Sequence, residues 1–176
     1  MVSVTCTTLN IRGGRDPLKR YQIFDYLKKT HTSDAYFLQE THTVAADEPA
    51  WRIVWRGDCI FSHENTYTAG IAILLTPNSN AEILSTNEVI NGRLLHAHVR
   101  VNGDPIHFIN MYAPNNGNER LQVFLKLKQL LNDLNDDPVI LGGDFNCTIE
   151  PKIDRTSQQE PDIRTSLSLD KILHTF

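Results

Sequence analysis

Four segments of this chain set polar side chains at the end of an apolar run: Leu9-Asn10-Ile11-Arg12-Gly13, Leu38-Gln39-Glu40-Thr41-His42, Met111-Tyr112-Ala113-Pro114-Asn115 and Gly142-Gly143-Asp144-Phe145-Asn146. Carboxylates, amides and a phenol are groups that binding or acid-base chemistry can use. Singly, each has an ordinary explanation: Asn10 caps a turn, Glu40 is a solvated carboxylate, Tyr112 is a core aromatic with a bonded tip, and Gly-Gly-Asp is a turn. As a set they suit a site assembled from loops at strand ends on a rigid scaffold.

The elements that would position them follow from periodicity. Val2 to Leu9 alternates apolar and polar residues as a half-buried strand does and delivers Asn10 to a loop. Asp16-Pro17 reads as a helix start, with Ile23, Phe24 and Leu27 as its apolar stripe. Ala35 to Leu38 is a short apolar run ahead of Gln39 and Glu40. Strand signals follow at Trp51 to Trp55, Cys59 to Ser62, Ala69 to Leu75, Ala81 to Leu84, Arg93 to Val101 and Ile106 to Met111, with Asn102-Gly103 as the clearest hairpin turn. Leu121, Phe124, Leu125, Leu130, Leu131 and Leu134 mark the strongest helix, and Pro138 to Leu141 reads as a fully buried strand. Ile163, Leu167, Ile172 and Leu173 suggest a final short helix. Strands separated mainly by turns, with helices inserted at few points, predict an α+β two-sheet sandwich flanked by helices.

Composition sets bounds and little more. With 176 residues, 40% apolar and 22% charged, the chain has the usage of one folded domain, expected to span residues 1–176. A formal charge of -4 gives no basic footprint for non-specific nucleic-acid binding, yet a site that gathers carboxylates around a cation is compatible with it. Three cysteines without a CxxC spacing indicate neither a disulfide framework nor a thiolate zinc site. No signal peptide or membrane span is legible, so an intracellular location, nucleus or cytoplasm, with no membrane partner is expected.

The combination of Asn10, Gln39-Glu40-Thr41, Tyr112-Ala113-Pro114-Asn115 and Gly143-Asp144-Phe145-Asn146 resembles the endonuclease/exonuclease/phosphatase superfamily. That superfamily includes deoxyribonuclease I, apurinic/apyrimidinic endonucleases, inositol polyphosphate phosphatases and LINE-type (non-LTR) retrotransposon endonucleases. His42 after Gln-Glu-Thr, the form Tyr-Ala-Pro-Asn and the stretch Thr68 to Leu74 look most like the retrotransposon enzymes. The resemblance implies a deoxyribonuclease I-like sandwich and metal-dependent phosphodiester hydrolysis, with Mg²⁺ or Mn²⁺ as cofactor. It also implies DNA as partner and, in the parent protein, fusion to a reverse transcriptase. Glu40 would ligate the ion with Asn10 beside it, and Asp144 would act on the attacking water. Asn146 would position water and phosphate, Tyr112 would donate to a phosphate oxygen, and Asn115 and Arg93 would hold substrate. An apurinic/apyrimidinic endonuclease, another phosphoesterase or a non-catalytic interaction module are the alternatives.

The resemblance further implies a Ser-Arg-Ile-Asp-like and a Ser-Asp-His motif on later strands. Neither occurs in this sequence, which is therefore expected to be incomplete at its C-terminus and to lack the final strands; His174 does not stand in for the missing histidine. Arg93 reads equally as a salt bridge at a strand start, and Asp154-Arg155 equally as a loop ion pair. His96 and His98 form a His-x-His pair with zinc-compatible spacing, but without a third ligand legible in sequence a packed pair is favoured.

Overall fold

The structure, a computed structural model, describes residues 3–30, 32–77, 79–134, 136–147 and 163–175. It forms two compact units. The first comprises residues 1–112 and 136–144, and the second residues 113–135 and 145–176.

The first unit holds two mixed four-stranded sheets. In sheet A, β1 (Cys6–Asn10) runs parallel to β2 (Ala35–Gln39), which pairs antiparallel with β4 (Ile71–Leu75), itself antiparallel to β3 (Cys59–Ser62). In sheet B, β5 (Ala81–Ile90), β6 (Leu94–Val101) and β7 (Asp104–Tyr112) form an antiparallel meander, and β8 (Val139–Asp144) adds in parallel to β7. Asn102 and Gly103 have φ of 53° and 97° and turn β6 into β7, as the two left-handed positions of a tight hairpin require.

Period-2 alternation sorts the side chains. Ala35, Phe37, Ile71, Ile73 and Leu75 of sheet A meet Leu95, Ala97, Val99, Ile106 and Phe108 of sheet B in the central core. The alternate residues Tyr36, Leu38, Ala72 and Leu74 face outward beneath α1 (Pro17–Thr30) and α2 (Glu48–Trp55). Sheet A is consequently apolar on both faces. Helix α1 begins as expected, with Asp16 Oδ1 accepting from Lys19 N at 2.7 Å. Trp51 to Trp55, expected as a strand, lies instead in α2. Pro49 sits at the start of that helix, and Trp51 and Trp55, one turn apart, bury against Phe24 with ring centroids 5.3 and 5.2 Å away.

Sheet B departs from expectation at its edge. β8 is only partly buried, and Val139 is exposed, because β8 has a strand partner on one side among the described residues.

One polar side chain interrupts the central core. Asn110, wholly buried on β7, donates through Nδ2 to the carbonyls of Leu38 (3.0 Å) and Ala72 (2.9 Å), which are register partners on β2 and β4. Its Oδ1 accepts from Gln39 Nε2 at 2.8 Å. These bonds join sheet B to sheet A at a single register.

The second unit contains α3 (Gly117–Asp133) and α4 (Ile163–Leu173). Asn116 caps α3 by accepting from the backbone N–H groups of Asn118 and Glu119. Arg120 Nη1 reaches back to the carbonyls of Pro114 and Asn115, and its Nη2 donates to Thr165 Oγ1 of α4 at 3.2 Å. In α4 the buried positions are Thr165, Ser166, Leu169 and Ile172, whereas Ile163, Leu167 and Leu173 are exposed. The inward face is thus rotated from the one that apolar spacing suggested. No helix among the described residues is long and apolar enough to cross a membrane.

Replacing Asn110 by Ala removes the side-chain donor to two buried carbonyls, while the Gln39 amide keeps its bonds to Thr8 Oγ1 and Phe37 O. At about 1 kcal/mol or more for each carbonyl, Asn110→Ala should destabilise the chain by roughly 2 kcal/mol in chemical denaturation. A change below about 1 kcal/mol would show that the amide is not a structural tie.

Candidate active site

Immediately past the Asn110 tie, the chain ends of β1, β2, β7 and β8 bring Asn10, Glu40, Tyr112 and Asp144 together. Asn10 Nδ2 donates to Glu40 Oε1 at 2.9 Å and to Asp144 Oδ2 at 3.0 Å, so a single amide spans two carboxylates. Tyr112 Oη donates to the same Glu40 oxygen at 2.8 Å. The Asn10 Oδ1 accepts from Arg12 N at 3.2 Å, which fixes the orientation of the amide.

Backbone geometry holds Glu40 in place. Arg12, Glu40, His42 and Ala69, none of them glycine, all have positive φ, between 48° and 55°. Each such residue costs roughly 1–2 kcal/mol unless its surroundings impose the conformation. Here three loops brace one another: Gly13 N donates to Glu40 O (2.6 Å), Gly14 N to Thr41 O (2.8 Å), Thr41 N to Gly70 O (2.9 Å) and His42 N to Ala69 O (3.0 Å). Gly70 permits the approach, since a Cβ there would sit 2.5 Å from Thr41 Oγ1. At the Asp144 end, Gly143 has φ of 142°, and a Cβ would collide with the Met111 backbone carbonyl. Only glycine lets β8 lie that close to β7.

The electrostatics favour an ionised Glu40 beside a neutral Tyr112. Burial pushes the Glu40 carboxyl up, but hydrogen bonds from Asn10 and Tyr112, with His42 and Arg12 nearby, outweigh it and hold the group below the usual carboxylate range. Burial, together with the bond to Glu40 and its charge, pushes the Tyr112 hydroxyl up to about 12. Tyr112 therefore remains a donor at neutral pH.

Arg93 makes the ion pair anticipated at a strand start and also stacks on an aromatic ring. Its guanidinium lies 5.0 Å over the Tyr112 ring, and its Nε is 3.8 Å from Glu64 Oε2. His42, singled out by sequence only as a mark of resemblance, places Nε2 3.8 Å from Glu40 Oε2. Its position two residues past Glu40 was the available signal. In the second unit, Asn146 has φ of 46° and donates to Ala113 O at 2.7 Å, while Asn115 is exposed and its carbonyl accepts from Arg120. Asp154-Arg155 lies outside the described residues. His174 makes an exposed contact with Asp170 one turn away on α4 and joins no site.

Glu40, Asp144 and Asn10 present carboxylate and amide groups, with a phenol behind them. This is a donor set for a hard cation such as Mg²⁺ or Mn²⁺ and not for a thiophilic one. Glu40 Oε1 already accepts two hydrogen bonds, which leaves Oε2 as the oxygen better placed to meet an ion.

Residues 7–175 match the Endonuclease/Exonuclease/phosphatase family. A transposon TX1 uncharacterized 149 kDa protein from Xenopus laevis is 34% identical over 174 residues, which is 98% of this chain and 13% of that protein. The chain thus spans about an eighth of the length of that curated relative. Among solved structures, an AP endonuclease from Archaeoglobus fulgidus superposes with a TM-score of 0.73 at 21% identity, covering 98% of this chain and 71% of that one. A 3′ phosphatase from Neisseria bound to a product DNA hairpin superposes with a TM-score of 0.69 at 19% identity, covering 98% and 71%. Their fold, two mixed sheets with flanking helices, is the fold of this chain.

Two outcomes are expected. Gly143→Ala should lower stability by about 2 kcal/mol or more, through strain at a backbone position that cannot relax. A Glu40 carboxyl held below the unfolded value of about 4.3 contributes stability above that pH and loses it as pH falls through the lowered folded pKa. Tyr112→Phe removes one bond to the carboxylate, so carbon-detected NMR titration should find Glu40 titrating at higher pH than in the parent. An unchanged or lower value would contradict the hydrogen-bond assignment.

Proposed function

This chain belongs to the Endonuclease/Exonuclease/phosphatase family, and we propose that its Glu40 rim hydrolyses DNA phosphodiester bonds with a divalent cation, Mg²⁺ or Mn²⁺, as the nicking activity of a LINE-type retrotransposon protein. The observation that supports the reading best is the Asn10 amide bridging Glu40 and Asp144 at 2.9 and 3.0 Å, with Tyr112 on the same Glu40 oxygen.

Glu40 holds the ion and Asn10 stands beside it. When bound, the ion polarises the phosphoryl oxygens and offsets the charge that develops on them. Asp144 orients the attacking water and accepts its proton. The Asn10 amide, donating to both, keeps the Asp144 and Glu40 carboxyl groups close together. Tyr112, neutral at physiological pH with its pKa pushed up to about 12, turns its single O–H from Glu40 to a phosphate oxygen as charge accumulates there. Arg93 supplies a fixed positive charge beside Tyr112 and attracts the phosphate backbone. Asn146 positions water and phosphate, and Asn115 holds substrate, as the family resemblance implies. The products are a free hydroxyl and a phosphate monoester, one water having been consumed.

The 34% identity to a transposon protein favours this reading over an apurinic/apyrimidinic endonuclease. A reverse transcriptase elsewhere in the parent polypeptide belongs to the same proposal. So does the view of residues 1–176 as a single domain.

Supercoiled plasmid in Mg²⁺ tests the reading. The chain, or a longer form reaching the Ser-Asp-His motif, should relax it by single nicks, and Glu40→Gln should lower the rate by about 10²-fold or more. Nicking that persists undiminished in Glu40→Gln would refute the assignment. Faster cleavage of an abasic-site duplex than of intact DNA would instead favour the repair-type reading.

A further inference from the structure

The His-x-His pair of β6 acquires in the fold the third ligand that sequence does not reveal. His98 and His107 are directly paired across β6 and β7, with rings stacked at 4.2 Å between centroids. Asp137, two residues before β8, brings Oδ2 to 3.1 Å from His98 Nε2. One ligand atom from each of His98, His107 and Asp137 lies within 4.8 Å of the others. We infer that these three residues form a binding site for a late first-row divalent ion, most suitably Zn²⁺, separate from the Glu40 rim.

The scaffold around them is rigid. β6 and β7 are interior strands of sheet B, and Asp137 is tied to the same place because His107 N donates to Pro138 O at 2.8 Å. His96, on the same face of β6, sets its Nε2 2.9 Å from His107 Nδ1. That contact orients the His107 ring, as outer hydrogen bonds do for metal-bound histidines. His107 is buried, whereas the side chains of His98 and Asp137 are 21% and 24% exposed, so an ion can enter from their side.

The donor chemistry selects the ion. Two imidazoles and one carboxylate with a water suit tetrahedral Zn²⁺, whose ligand atoms stand roughly 3.3 Å apart given bonds of about 2.0–2.1 Å. His98 and Asp137 already meet that spacing at 3.1 Å, and the His107 ligand atom lies within 4.8 Å of both. Mg²⁺ prefers an all-oxygen set and competes poorly here. The site lies five residues before Tyr112 on β7, about 17 Å away at 3.4 Å per residue. Its role is that of a staple joining β6, β7 and the entry to β8, the strand that carries Asp144.

Calorimetry with Zn²⁺ on the whole chain, in millimolar Mg²⁺ to occupy the Glu40 rim, provides the test. One Zn²⁺ equivalent should bind, persist in Glu40→Gln and raise the melting temperature, and Co²⁺ in its place should show the visible bands of a four- or five-coordinate site. His98→Gln and Asp137→Asn, both at half-exposed positions that tolerate change, should weaken binding by at least about tenfold while circular dichroism stays unchanged. His96→Gln should weaken it by about 10- to 100-fold through His107 alone. Absence of a Glu40-independent Zn²⁺ equivalent, or undiminished affinity in both His98→Gln and Asp137→Asn, would overturn the inference.

Discussion

The carboxamide of Asn110 is the interaction on which the rest of the first unit depends. Apolar contact between the sheets is non-directional and would tolerate some sliding of one over the other. Two hydrogen bonds from one buried amide to the paired carbonyls of Leu38 and Ala72, and a third from Gln39, select a single alignment. The alignment matters because Tyr112 lies two residues beyond Asn110 and Glu40 two beyond Leu38. A slip of one residue would reverse the facing of every side chain on the strand and carry Tyr112 away from Glu40. A polar network this deep is worth having only when it is fully bonded, and around Asn110 both donor and acceptor are engaged.

Above that tie the rim gathers like charges, which by itself is unfavourable. Glu40 and Asp144 are kept together by an amide that donates to both, and Tyr112 adds a further donor to Glu40. The left-handed backbone at Arg12, Glu40, His42 and Ala69 is a further local expense, met by hydrogen bonds between the loops. Strain concentrated at one rim, with hydrogen bonds arranged to oppose it, is a mark of a preorganised site.

Much of this was legible in the sequence because the information is local. A polar residue at the end of an apolar run identifies a strand end, and so Asn10, Glu40, Tyr112 and Asp144 could be named before the fold was known. Asn102-Gly103 gave its hairpin for the same reason, since two adjacent left-handed positions are a property of two residues. Misreadings arose where local patterns are ambiguous. Trp51 to Trp55 has residues that favour strands, yet two tryptophans four apart also form one helical face, and Pro49 with the packing against Phe24 decides in favour of the helix. The burial of Val139 was overestimated because an apolar run does not say how many strands flank it.

What could not be read were features created by register. Asn110 is one asparagine in an otherwise apolar strand, and nothing nearby in sequence says that it faces the opposite sheet. His107 is likewise unremarkable until the hairpin sets it across from His98, and Asp137 becomes its neighbour only through parallel pairing of β8 with β7. If the Asn110 tie aligns Glu40, Asn10 and Asp144 as one rim able to hold a cation, crystals soaked in Mn²⁺ should show an anomalous peak bonded to Glu40, with Asn10 and Asp144 beside it. A Mn²⁺ peak that avoids Glu40, or a structure in which Asp144 lies far from Asn10, would contradict it.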